Sequence, residues 1–351
     1  MELMKAADLL IEKIKREYKE EVAVVVVMGS HIYNETHSRS DLDMYFVINS
    51  PKGYELGLTF VIDGIGFDFW PISWERIERM ANHDERVTSI ITEGQIIYSG
   101  SEADLERFNA LKSKALDVSD NKKFTQKSRK VFDQVYKSYF KLEDATDLTS
   151  VRRHGINVIF SLTYALALLN KETVKRGRGK LKKEILAMPL VPKDFERHYD
   201  VIFESKDLGA IKSASRHLVS NMEELLSNEE TKQIEPVEFK EQLHGFYEEL
   251  INFYNKIHHG CETGDYVTAF YAANEIASEI DDVLTGTGIS SSQLPDLVGA
   301  FDTNDINKFL EVADEHQKAF VALLENGGVS IRTFKDFDAL EAYLNQLGKG
   351  E

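Results

Sequence analysis

Residues 22–72 read VAVVVVMGSHIYNETHSRSDLDMYFVINSPKGYELGLTFVIDGIGFDFWPI. Val22 to Met28 is a continuous apolar, mostly β-branched run, the pattern of a strand buried on both faces. It stops at Gly29-Ser30, and ten residues later Asp41-Leu42-Asp43 opens a second apolar run, Met44 to Ile48. The expected second strand spans 42–48. A third acid, Asp68, lies in Gly66-Phe67-Asp68-Phe69-Trp70, on a strand that follows an Asp63-Gly64 hairpin turn. Side chains alternate along a strand, so Asp41 and Asp43 share one face while Leu42 and Met44 point to the core. Asp68, polar between two phenylalanines, is turned away from the core by the same rule. Two carboxylates on one strand and a third from a neighbour make a hard, oxygen-only donor set suited to Mg²⁺, which takes carboxylates together with substrate phosphates. Gly29 lets backbone approach a triphosphate, and the Ser30 hydroxyl and adjacent N–H groups can hold its oxygens. A lone Asp-x-Asp on a strand is usually only solvent-facing; the Gly-Ser start, the spacing and the third acid set this one apart.

The chain has 351 residues, enough for two or three domains, with 42% hydrophobic and 29% charged residues, as in ordinary globular proteins. A formal net charge of −17 argues against broad nucleic-acid binding, which depends on Lys and Arg neutralising phosphates, and suits a small cationic substrate. Cys261 is the one cysteine, so no intrachain disulfide can form and a cytoplasmic location is expected. The first twenty residues form an amphipathic charged helix rather than a signal peptide, and no apolar run reaches the length of a membrane span.

Strands are expected at 22–28, 42–48, 56–62 and 65–72, with a helix opened by Ser73 and a further apolar run at Gln95-Ile96-Ile97-Tyr98. From Glu102 the periodicity is helical: 102–116, 122–143, 150–170, 178–187, 193–203, 207–227, 236–260, 265–285, 293–301, 304–325 and 335–347. The polar stretch Ser227 to Pro236 divides two helical units. VFDQVYKSYFKL at 131–142 matches FYEELINFYNKI at 246–257 in apolar spacing, and Val201–Leu208 matches Gly299–Ile306, in the same order. Duplication accounts for that order better than helical period alone.

The Gly-Ser start, the ten-residue step and the Asp-Leu-Asp resemble the DNA polymerase β-like nucleotidyltransferase superfamily. The stretches FDFWPISWERIERMA (67–81) and TEGQIIYSGSEADLERFNALKSKA (92–115) resemble its kanamycin nucleotidyltransferase family, over roughly the first 230 residues. The resemblance implies an α+β chain: a small mixed-sheet nucleotidyltransferase domain at 1–100, a helical bundle at 101–230, and a second bundle at 231–351 that repeats the first. It implies metal-dependent transfer of a nucleoside monophosphate, expected to be AMP from ATP, to a hydroxyl of a small cationic acceptor such as an aminoglycoside, and hence antibiotic resistance. Asp41, Asp43 and Asp68 would be the catalytic and metal-binding acids, with Gly29 and Ser30 on the triphosphate. The family's arginine after Gly-Ser is replaced here by His31-Ile32-Tyr33, and Arg39 with Ser40 stands nearest to take its place. The family draws its general base from a helical acid. Asp133 and Glu248 occupy the matching positions in the two units, Glu248 as base and Asp133 as acceptor-binding acid if the second unit stands in for a partner subunit. The chain would then act as a monomer; otherwise as a homodimer. Two alternatives are modification of a protein partner, as antitoxin-like nucleotidyltransferases perform, and nucleotide binding without turnover.

Other motifs have plainer readings. Lys175, Arg176, Arg178, Lys180, Lys182 and Lys183 form a basic cluster that reads first as a solvated helix start and second as a phosphate or RNA contact. His258-His259, Cys261 and Glu262 lack the one-face spacing of a zinc site. Arg152-Arg153-His154 lacks the spacing of a HEPN-type ribonuclease motif. Trp70 and Trp74 suit either core packing or stacking on a base.

Overall fold

The computed structural model describes residues 3–347. The chain divides into two compact units, 1–233 and 234–351. The first unit opens with α1 (Met4–Glu17), β1 (Val22–Val27), β2 (Met44–Ile48), β3 (Leu58–Ile62), β4 (Ile65–Ser73), α2 (Trp74–Ala81), α3 (Ser89–Thr92) and β5 (Gln95–Ser99). The strands form one mixed sheet in the order β3-β4-β2-β1-β5. β2 and β4 run parallel, and every other neighbouring pair is antiparallel.

The continuous apolar run of β1 follows from its position. Val22, Val25 and Val27 pack with Ala7, Leu10 and Ile14 of α1, while Ala23, Val24 and Val26 pack with Ile77 and Met80 of α2 on the other face. A bulge between Val22 and Val24 shifts the alternation by one. Asp63 (φ 52°) and Gly64 (φ 77°) both adopt left-handed backbone and join β3 to β4, the geometry a two-residue hairpin requires. Ser73 caps α2 by accepting the Arg76 N–H.

Five longer helices and one short one follow: α4 (Glu102–Leu116), α5 (Asn121–Asp144), α6 (Leu148–Leu169), α7 (Leu181–Leu186), α8 (Phe195–Glu204) and α9 (Leu208–Thr231). Phe108 of α4 is fully buried against the sheet, so this helix shares the sheet's core. The other helices enclose a separate core around Phe132, Leu162, Ile211 and Leu218. Arg129 of α5 reaches Glu223 and Glu230 of α9 at 2.8 and 2.6 Å, which holds the Glu223 carboxyl below its ordinary pKa.

The second unit contains α10 (Phe239–Gln242), α11 (Phe246–Thr263), α12 (Tyr266–Leu284), α13 (Ile306–Asn326) and α14 (Phe337–Gln346). Its core gathers Leu250, Ile257, Ile276 and Phe320. Tyr254 and His316 are buried and share a 2.7 Å hydrogen bond, and burial pushes the His316 pKa down to about 4.

Three expected elements differ. Asp41-Leu42-Asp43 stands outside the β2 ladder, whose first pair is Met44↔Phe69. The helix expected at 236–260 is broken, because Gly245 at φ 79° turns the chain between α10 and α11. The segment 293–301 is not helical: after a short 3₁₀ turn at Ser291–Gln293, Pro295 leads into a turn in which the Asp296 carboxylate accepts the Gly299 N–H.

Phe132→Ala should lower the unfolding free energy of residues 1–233 by about 3–5 kcal/mol, the usual cost of emptying a fully buried aromatic site. Urea denaturation followed by circular dichroism on the fragment would check it, and a loss under 1 kcal/mol would contradict the packing described.

Candidate active site

The site forms where β1 ends. Met28 donates its N–H to the Asp43 carbonyl at 2.9 Å, extending the β1–β2 pairing by one residue past the ladder. Gly29 then turns to φ 70°, and a Cβ placed there would lie 2.0 Å from Asp43 Oδ2. The glycine therefore serves Asp43 first: its missing side chain is the space the carboxylate occupies. The Ser30 N–H donates to that carboxylate and lowers its pKa, but burial, and next the charge of Asp41, outweigh it and hold Asp43 above the ordinary range.

Leu42 and Met44 both belong to the core beneath α1. Asp41 and Asp43 are accordingly on the opposite side of the chain, as alternation requires, although neither residue is in the strand proper. On β4, Phe67 and Phe69 pack toward α1 while Trp70 and Ile72 pack toward α2. Asp68 is exposed, and the parallel register Met44↔Phe69 continued by one step puts it level with Asp43. All three acids thus fall on the α2 side of the sheet. Among the described residues, however, no three His, Cys, Asp or Glu side chains are close enough together to hold a metal. A divalent cation suits the Asp41–Asp43 pair: two hard oxygen donors, one of them raised by burial and then by its neighbour's negative charge.

The flanking residues take distinct parts. Ser40 is buried, and its Oγ accepts the His37 N–H at 2.9 Å, closing the turn that delivers Asp41. Arg39 is exposed and donates its backbone N–H to His37 Nδ1. Asp133 is exposed on α5, next to the core residue Phe132. Glu248 is half-buried at the start of α11 and accepts the Arg332 N–H at 2.7 Å. Trp70 lies edge-on to Tyr45, and Trp74 is buried with its indole N–H on Asn49, so both serve packing.

Lys175 to Lys180 are exposed and lead directly into α7, as a solvated helix start does, and Lys175 and Arg176 also lie against the loop that leaves Gly29-Ser30. Tyr33 Oη donates to the Lys175 carbonyl at 3.4 Å, and the Arg176 guanidinium lies 4.6 Å from the Tyr33 ring centre. Arg176 also pairs with Glu35 at 3.4 Å and Lys175 with Glu93 at 3.6 Å. The signal in the sequence was six cations within nine residues of an acidic chain.

A mixed five-stranded sheet with paired acids beside a Gly-Ser turn, followed by a helical bundle, has the organisation of a polymerase β-like nucleotidyltransferase. Residues 105–232 match the family model of the KNTase C-terminal domain. That match covers the bundle after the sheet, which is similar to the C-terminal domain of kanamycin nucleotidyltransferases. No curated protein matches the chain. Among solved structures, it is similar to a nucleotidyltransferase-like protein from Exiguobacterium sibiricum 255-15, at 13% identity over 63% of this chain and 75% of that one. The TM-score of 0.33 is too low to carry a conclusion.

Two substitutions test the apposition. Gly29→Ala meets both the Asp43 carboxylate and an unfavourable φ, and should cost about 1–3 kcal/mol of stability while displacing the acid. Asp43→Asn should do the reverse. A carboxyl raised in the folded state binds more protons folded than unfolded, so its presence lowers stability as pH rises from the ordinary carboxylate range through the raised value. In metal-free buffer the Asn variant should therefore unfold at higher temperature than the parent at neutral pH and match it under strongly acidic conditions. Equal melting at both would refute the account of Asp43.

Proposed function

We propose that this protein transfers a nucleoside monophosphate, in the first instance AMP, from a nucleoside triphosphate to a hydroxyl group. The observation that carries this reading is the Asp43 carboxylate seated against side-chain-free Gly29, with the Asp41 charge acting on it. Asp41 and Asp43 would hold a divalent cation, Mg²⁺, with Asp68 as a further ligand or as the group orienting the acceptor. When bound, the cation supplies charge compensation at the triphosphate. The turn at Gly29-Ser30 would fix the phosphates, with the Ser30 hydroxyl as one donor and Arg39 as a flanking cation.

The acceptor oxygen forms its bond to the α-phosphorus as the bond from that phosphorus to the bridging oxygen breaks, and pyrophosphate leaves. The acceptor's proton passes to a carboxylate. Asp133 and Glu248 are the helical acids that the family resemblance puts forward; if the second unit stands in for a partner subunit, Glu248 is the base and Asp133 binds the acceptor. For the acceptor itself, the resemblance and the net charge of −17 favour a hydroxylated cation of the aminoglycoside kind.

Incubation with each α-labelled nucleoside triphosphate, Mg²⁺ and an acceptor panel should give label transfer and pyrophosphate. Asp41→Asn and Asp43→Asn should each reduce the rate by at least 100-fold, on the order of 3 kcal/mol or more of transition-state stabilisation, with the fold intact. Glu248→Gln should lower the single-turnover rate at unchanged nucleotide affinity, and Asp133→Asn should raise the acceptor concentration needed. Near-parent turnover in either Asp41 or Asp43 variant would remove the assignment.

A further inference from the structure

Two concave regions of the first unit share a wall. One, of about 880 Å³, lies between the residues that follow α2 and the face of α5 that carries Lys123, Lys127 and Lys130. The other, of about 320 Å³, lies between the start of α3 and the segment carrying Lys175, Arg176 and Arg178. Arg86 and Phe160 line both. Eight Lys and Arg side chains border the pair of cavities, against a single acid, Asp84. In a chain of net charge −17 that local excess is the reverse of the average surface.

Part of this charge is already matched within the protein. Lys127 pairs with Asp84, Arg79 with Glu75 and Glu85, Lys175 with Glu93, and Arg176 with Glu35 and Glu184. Arg86, Lys123, Lys130 and Arg178 have no carboxylate within ion-pair distance among the described residues. Arg86 is fixed in place: its Nη1 donates to the Phe160 carbonyl at 2.8 Å and its Nη2 to Thr163 Oγ1 at 3.4 Å. The Arg86 and Arg178 guanidinium groups each lie 4.7 Å from the centre of the same Phe160 ring. Burial, and then the charge of Arg178, makes the protonated state of Arg86 harder to hold, which is the mark of cations gathered without their counter-charge.

The row has direction. Lys123, Lys127 and Lys130 recur at steps of four and three along α5, on one face over about 10 Å of helix. Gln126 and Gln134 flank them with neutral hydrogen-bonding groups, and Tyr164 joins Phe160 in the groove. At the other end, Lys175 and Arg176 meet Tyr33, three residues past Ser30. A single phosphate ester needs two or three cations at one point. Cations on both sides of Arg86 and Phe160, with aromatic rings beside them and Lys175 and Arg176 meeting the loop that leaves Ser30 at Tyr33, are instead suited to successive phosphates of an extended chain.

We propose that this groove binds a single-stranded nucleic acid and presents its terminal hydroxyl as the acceptor. The acceptor role rests on the nucleotidyl-transfer reading; the binding does not. The net charge of the whole chain opposes indiscriminate binding.

The test uses the full chain and a 5′-fluorescent single-stranded RNA of twelve nucleotides, followed by anisotropy in a salt series. Arg178→Glu with Lys130→Glu changes two exposed residues. It should weaken binding at least tenfold and reduce the slope of log K against log salt by about 1.4, two phosphate contacts at 0.7 each. Lys15→Glu with Lys19→Glu, an equal change of net charge on and just after α1, away from the groove, should leave binding as it was. Tripolyphosphate serves as the small-anion probe and should compete only at much higher concentration. Absent binding, binding indifferent to Arg178 and Lys130, or tripolyphosphate binding as tightly as the strand would each overturn the proposal. Label transfer from an α-labelled triphosphate to the strand is read separately. A strand that binds but stays unlabelled while another acceptor is labelled would overturn the acceptor role. No label on any acceptor would count against the transfer reading while strand binding stood.

Discussion

Everything in the first unit is arranged around the burial of β1 on both faces. Six consecutive residues without exposed surface hold this strand fast between α1 on one face and α2 on the other. The residues at its end inherit that rigidity. Met28 is bonded to the Asp43 carbonyl, Gly29 makes room for the Asp43 carboxylate, and Ser30 donates to it. A partly buried anion beside a second anion is unfavourable in itself, and the folded core holds it there. On the proposed reading, a divalent cation would relieve that repulsion.

The sheet was largely legible because its signals are local. A continuous apolar run, an Asp63-Gly64 turn and a serine before an amphipathic segment each follow from backbone or burial rules that operate within a few residues. Asp41 and Asp43 were legible as a pair for the same reason, even though the ladder begins one residue later at Met44. The helix breaks were less so. Gly245 interrupts a segment with good helical period, and period carries no information about a single left-handed residue. Around Pro295 the apolar spacing suggested a helix, but the Asp296 side chain competes for the backbone N–H of Gly299. The basic cluster was visible, its location was not. That Lys175 would lie on Tyr33, across more than a hundred residues of chain, depends on tertiary packing that spacing cannot express.

The two helical units can be compared element by element. In the first, α5 and α6 form a hairpin and α9 packs on α5; in the second, α11 and α12 form a hairpin and α13 packs on α11. The matched sequence segments fall on α5 and α11, and the helices they lead to are α9 and α13. Two differences stand out: α8 is helical where the second unit has the turn region before Asp305, and α9 also packs on α6 whereas α13 has no comparable packing on α12. A duplication followed by loss of one helix accounts for this order, and we propose it as the origin of the second unit.

The seam near residue 100 separates sheet from bundle on paper, yet many bonds cross it. Tyr164 donates to the His83 carbonyl, Arg86 to that of Phe160, and Lys127 meets Asp84. Phe108, past the seam, fills the sheet's own core. Residues 1–100 are therefore half of a machine rather than a cartridge. Recombination that exchanged the bundle for another would strip the sheet of a wall and Arg86 of its anchor together. Change in such a lineage therefore comes more readily by substitution in place than by swapping parts.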